Sequence, residues 1–296
     1  MFATLLDRKL GLASVACSAL LLAACEQETV TASSAPADKA EKETAQPETA
    51  PDGEEYGEFL ARPAELAPVA TNDIMKSLRL SSTAKTVGME VYGRACASCH
   101  GADLKGSREQ GTPDLTDVNW RFAGDDAATG GGTIYPSDIE WTVRYGIRSG
   151  HANARGHEAN MVAFDPQYRH EEDKQIYGGR RFLTNGEIDD VVEYVLKISG
   201  QQADDAKAAR GDELFHDGTR GNCNDCHEND GVGNLALGST NLTRPELYLY
   251  GSDRASILES IVRGRRGTMP AFEGQLRPEE IKAVAIYLYY RALPPP

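Results

Sequence analysis

Two pentapeptides constrain this chain more than anything else in it: CASCH at residues 96–100 and CNDCH at 223–227. Cys-x-x-Cys-His is the attachment motif of c-type haem. Two thiols one helical turn apart can add to the two vinyl groups of a haem, and the adjacent His then lies beneath the iron. One copy is compatible with chance, a disulfide or half a zinc site. Two copies at matched places in a repeat point to two covalently bound haem c groups. Cys96, Cys99 and His100 would hold the first, and Cys223, Cys226 and His227 the second. A zinc site needs further Cys or His pairs at ligand spacing. The other histidines, His151, His157, His170 and His216, form none.

The repeat extends beyond the motifs. The offset of 127 that relates them also maps Leu115 and Thr116 onto Leu242 and Thr243. Ile139, Val143 and Gly146 map onto Ile257, Ile261 and Gly264 at an offset of 118, and Ile188 and Tyr194 onto Ile281 and Tyr287 at 93. The falling offset places insertions in the first copy. Each copy predicts a helix carrying a Gly and an aromatic before its motif: Gly88 and Tyr92, then Gly211 and Phe215. A Gly-rich loop follows, then a middle helix near 137–146 and 254–263. A last amphipathic helix covers about 186–198 and 278–291, with i, i+3, i+4, i+7 apolar spacing. No strand is predicted. The fold class is all-α: two tandem class I cytochrome c domains, 77–199 and 200–296, with the boundary near Gly200.

The sixth ligand decides what each iron can do, and a Met thioether fills that site and raises the reduction potential. Met269, in TMPAF after the second middle helix, stands where a distal ligand belongs. Met161, in NMVAF, holds the matching place without the Pro, and His151 and His157 compete with it. Arg148 and Arg266 precede these loops and are candidate partners for haem propionates, against an ordinary role as solvated surface arginines. Trp120 and Tyr248 are candidates to pack at the haem edges or simply in the core.

The N-terminal segment reads as an address. Arg8 and Lys9 precede fifteen mostly apolar residues, 10–24. That is short of the ~20 needed to span a bilayer and fits a signal h-region. Small residues before Cys25 predict a lipoprotein cleavage box, with 1–24 removed and Cys25 lipidated. Residues 25–76 are expected to form a lipid-anchored, disordered tether. Across 26–70 there are eleven acidic residues, three basic ones and few large apolar ones, too little to offset ordering entropy. This places the protein on the periplasmic side of a bacterial membrane, inner or outer. The whole chain has 31 basic and 45 acidic residues, a formal charge of −14. That excludes the basic stripe of a nucleic-acid binder and suits transient docking on basic partner patches.

Residues 77–293 resemble the diheme subunit of cbb-type haem–copper oxidases. The likeness rests on CASCHGADLKG, PDLTDVNW, IEWTVRYGIRSG, EIDDVVEYVLKISG, TNLTRPELYLYG, ILESIVRGRRGTMPAF and IKAVAIYLYY together. The resemblance implies His/Met ligation at both irons, His100 with Met161 and His227 with Met269, and a relay of single electrons towards a terminal oxidase. That family anchors itself by a transmembrane helix; this chain shows the lipoprotein-type box instead. Two other readings remain. One is a diheme enzyme of peroxidase or thiosulfate dehydrogenase type, which needs an open or unusual ligand position. The other is the cytochrome subunit of a periplasmic dehydrogenase, whose haem chemistry would be identical to that of a carrier. Redox proteins are the expected partners: a donor cytochrome or dehydrogenase, and a terminal oxidase.

Overall fold

The computed structural model describes residues 60–117, 119–122, 134–156, 159–171 and 183–293, all within one packing unit. The signal segment, Cys25, His157 and the tether up to residue 59 lie outside the described residues. A 3-10 turn, Pro63–Leu66, leads to α1 (Thr71–Ile74), α2 (Leu78–Ala95), α3 (Ala97–His100), α4 (Pro136–Tyr145) and α5 (Asn185–Ile198). The second half repeats the series as α6 (Asp205–His216), α7 (Asn224–His227), α8 (Arg254–Arg263) and α9 (Pro278–Ala292). Among the described residues only isolated β-bridges occur. The expected all-α fold holds.

Local chemistry starts each long helix. Thr184 and Glu187 close a capping box on α5. Asp204 accepts from the Ala206 and Lys207 amides to start α6, and Asp253 from Ala255 and Ser256 to start α8. α9 begins with Pro278, whose missing N–H costs nothing there, followed by Glu279 and Glu280 at the positive end of the helix dipole.

The helices pair across the repeat. α9, last in the chain, packs on α2 and α4 of the first half. α5 packs on α6 and α8 of the second. The first core joins Val91, Tyr92, Leu104, Leu115, Ile139 and Val143 to Ile281, Val284, Ala285 and Leu288. The second joins Ile188, Val191, Val192 and Val195 to Leu214, Tyr248, Ile257 and Ile261. Each core thus takes its final helix from the other copy, and the packing does not divide at residue 200. A physical reason lies in the connection: only 199–204 separate α5 from α6, and so short a link makes two helices antiparallel neighbours. α5 is held there by charge as well. Arg210 grips Asp190 with two bonds of 2.8 and 2.6 Å, and Arg254 reaches Glu193 at 3.1 Å.

The last part of the expected 25–76 linker is folded. Residues 60–76 fold onto α2 and α9, with Leu66 and Ile74 fully buried against Ala84, Ala283 and Ile286. Lys282 Nζ donates to the carbonyls of Ala67 and Val69, each at 2.6 Å, which caps the turn's exposed acceptors. Few apolar residues suffice here because the small Ala84 and Ala283 let the turn approach closely.

Candidate functional site

Each Cys motif is a single helical turn. The His100 amide donates to Cys96 O at 3.0 Å and the His227 amide to Cys223 O at 2.9 Å. That turn sets both cysteines and the following His around one space. His227 Nδ1 lies 2.9 Å from Thr240 O. With Nδ1 donating, Nε2 keeps the lone pair a metal needs. His100 Nδ1 is buried without a hydrogen bond of ordinary geometry; Pro113, at the 127 offset from Thr240, stands in the equivalent place. Burial pulls both imidazoles below their usual range, opposed by the Pro113 carbonyl at His100 and by the Thr240 carbonyl at His227. Both are therefore neutral at neutral pH and available as ligands. Burial pushes the Cys96 thiol up to about 11. Among the described residues no three His, Cys, Asp or Glu side chains converge as a metal cluster.

One cavity of about 530 Å³ is lined by both Cys-x-x-Cys-His motifs and by Met161 and Met269. The two Met loops cross over, as the helices do. The Met269 amide donates to Ile147 O at 2.9 Å and receives in return the Ile147 amide on its own carbonyl at 3.0 Å. The Met161 amide donates to Arg265 O at 3.2 Å, and the Arg265 amide to Met161 O at 2.9 Å. Gly146 and Gly264, at φ 74° and 68°, make these approaches possible: a Cβ would strike the carbonyl of Met269 or Met161. Met269 packs on the core that contains Cys96, and Met161 on the core that takes in Cys223. The expected pairing of Met161 with the first motif and Met269 with the second is exchanged in the packing.

His151 does not line the cavity. Its Nε2 lies 3.1 Å from Glu273 Oε2, and its ring stacks on Tyr145. Arg148 borders the cavity, with φ 47°, a left-handed conformation that costs a side chain about 1–2 kcal/mol. It donates to Gly267 O at 2.7 Å and to Ala159 O at 3.2 Å. Arg266 sits outside the main cavity, in a smaller one of about 510 Å³ shared with Arg148, His151 and Thr268. Trp120 and Tyr248 both line the main cavity. Tyr248 OH donates to Leu242 O at 2.7 Å, and the Trp120 Nε1 is buried with no partner among the described residues. Arg121 and Tyr250, which the motif arithmetic does not single out, also face the cavity. They lie in loops without periodicity; the only cue is that each follows a repeated Leu-Thr.

This donor set fits a c-type haem at each motif. The thiols and His come from one turn, two Met residues line the same cavity, and its wall carries cationic and N–H groups suited to propionates. Among the described residues no helix is long and apolar enough to cross a membrane.

Residues 83–178 and 206–288 match the family described as cytochrome c oxidase, cbb3-type, subunit III. The cbb3-type cytochrome c oxidase subunit FixP of Azorhizobium caulinodans is 37% identical over 77% of this chain and 67% of its own length. FixP of Bradyrhizobium diazoefficiens is 37% identical over 76% and 67%. Subunit CcoP of Azospirillum sp. (strain B510) is 32% identical over 76% and 68%.

Proposed function

The chain belongs to the cbb3-type cytochrome c oxidase subunit III family, and from that premise we propose that it is a diheme electron-transfer subunit that passes single electrons towards a terminal oxidase. The observation that carries this reading is one cavity lined by both Cys-x-x-Cys-His motifs and by Met161 and Met269, whose loops bond across the two halves. Haem c supplies one-electron chemistry there. Cys96 and Cys99 would hold one group, with His100 and Met269 as the residues that would ligate its iron. Cys223 and Cys226 would hold the other, with His227 and Met161. The Thr240 carbonyl orients His227 by accepting a hydrogen bond from its Nδ1–H. With one Met and one His on each iron, both sites would be closed to substrates, which favours a carrier over a peroxidase or thiosulfate-oxidising enzyme. His151, held by Glu273 and Tyr145, is turned to a different task from ligation.

The same proposal places the protein on the periplasmic side of a bacterial membrane. The sequence LAAC at 22–25 supports a lipid on Cys25, which would hold the haem domains at the membrane surface where a donor cytochrome or dehydrogenase meets them.

The test is the visible and near-infrared spectrum of the reduced and oxidised holoprotein, with and without carbon monoxide. A carrier gives the thioether–iron charge-transfer band from both haems and binds no gas. Met269→Ala opens the haem on Cys96 and Cys99 to carbon monoxide and lowers its potential, while Met161→Ala does the same at Cys223 and Cys226. Gas binding by the unsubstituted protein overturns the closed carrier.

A further inference from the structure

The segment 119–122 leaves the first motif's half and ends against the second's. Trp120 packs on the core that contains Cys96. Its neighbour Arg121 points the other way: Nη1 donates to Thr240 Oγ1, and Nη2 to Leu247 O at 3.3 Å. Thr240 is the residue whose carbonyl accepts a hydrogen bond from His227 Nδ1. Phe122, buried, fixes this reach with the tip of its ring against Gly238, where a Cβ would collide with it.

Burial lowers the basicity of both Arg121 and Arg148, and the charge of Arg148 lowers that of Arg121 further. Neither guanidinium is ion-paired to a carboxylate among the described residues; the partners are carbonyls and a hydroxyl. Tyr250 stands beside them, its ring 3.9 Å beneath the Arg265 guanidinium. Half-buried cations gathered without a counter-charge in a low-dielectric cavity are costly unless an anion completes the site. The buried, unpartnered Trp120 Nε1 is a second, independent donor left waiting in the same cavity.

We propose that Trp120 and Arg121 form a bridge between the two haem sites: Trp120 Nε1 donates to a propionate of the haem on the first motif, and Arg121 binds a propionate of the haem on the second. This rests on the diheme reading above and assigns two adjacent residues to two different cofactors. Arg121 then fixes the edge-to-edge placement of the haems. Its charge also favours the reduced state of the second haem, because ferric haem carries one more positive charge than ferrous.

The experiment is a spectroelectrochemical titration of the full holoprotein and of Arg121→Gln and Arg121→Lys, with haem counted per chain in each. Arg121→Gln retains two haems and lowers one of the two midpoint potentials by at least a tenfold change in the reduced-to-oxidised ratio, about 59 mV for one electron. Arg121→Lys restores most of it, because it keeps the charge. Two haems with both potentials unchanged in Arg121→Gln overturn the bridge and leave the carrier intact. An equal drop in Arg121→Lys also overturns it, since a packing defect would then be the cause. Fewer than two haems in the unsubstituted protein overturns the diheme reading itself. If Arg121→Gln does not accumulate, nuclear Overhauser contacts in the reduced unsubstituted protein decide. Arg121 Nε–H must contact propionate methylenes of the haem bonded to Cys223 and Cys226. Contact with the other haem alone, or none, refutes the assignment.

Discussion

At the scale of single residues, the sequence announced the covalent chemistry and stayed silent about its surroundings. Cys96, Cys99, His100 and their counterparts are legible because thioether attachment and ligation demand those residue types at that spacing. Met161 and Met269 are legible as loop residues after a middle helix. Arg121 is not, because an arginine in an aperiodic loop looks like any solvated cation until its partners are known. Glu65 illustrates the same limit. Its carboxylate accepts from Arg79 Nη2 at 2.7 Å and from the Arg62 amide at 3.0 Å. The bond from Arg79, then that from Arg62, holds its pKa down to about 2 from the usual 4.5. A depressed carboxylate stabilises the fold above its unfolded pKa and ceases to do so as pH falls through the folded one. The effect is modest, since the pair is part-exposed. Acidification from pH 5 to 2 is expected to loosen 60–76 before the cores. Amide exchange there, corrected for intrinsic rates, should rise across that window, and Arg79→Ala should move the rise to higher pH. Equal protection at pH 5 and 2 would show that Glu65 does not hold the turn.

At the scale of helices, periodicity located the elements within a residue or two but not their partners. An apolar stripe says that a face is buried, not against what. α5 and α9 descend from the same repeat position and carry matching faces, so either could cover α2 or α6 on pattern alone. The short 199–204 connection was the legible cue, and the glycines confirm the choice. Gly88 on α2 meets Ala283 and Tyr287 of α9, while Gly211 on α6 meets Asp190 and Tyr194 of α5. Each crossing brings two helix backbones closer than a Cβ allows. Gly88→Ala should therefore destabilise the protein by about 1–3 kcal/mol through overpacking, although alanine is the better helix former. Chemical denaturation of the holoprotein measures this; unchanged or raised stability would mean that α9 does not seat on α2.

At the scale of the whole molecule, the sequence reads as two beads in tandem, and the structure is two cores built by exchange. A duplicated chain can close each repeat on itself or on its neighbour with the same contacts, and local pattern does not distinguish the two. The exchange binds the halves through two helices, two Met loops and the 119–122 segment, so both Cys-x-x-Cys-His motifs line one cavity. For an electron relay this fixes the distance between cofactors in a way that a flexible tandem would not. The central claim is that each iron takes its His from one half and its Met from the other. Nuclear magnetic resonance of the reduced holoprotein, with methionine methyl groups carbon-13 labelled, tests it without any substitution. The Met269 methyl should show contacts to the haem bonded to Cys96 and Cys99, and the Met161 methyl to the haem bonded to Cys223 and Cys226. Contacts of Met269 with the haem on Cys223 and Cys226 would contradict the exchange and restore the simple tandem.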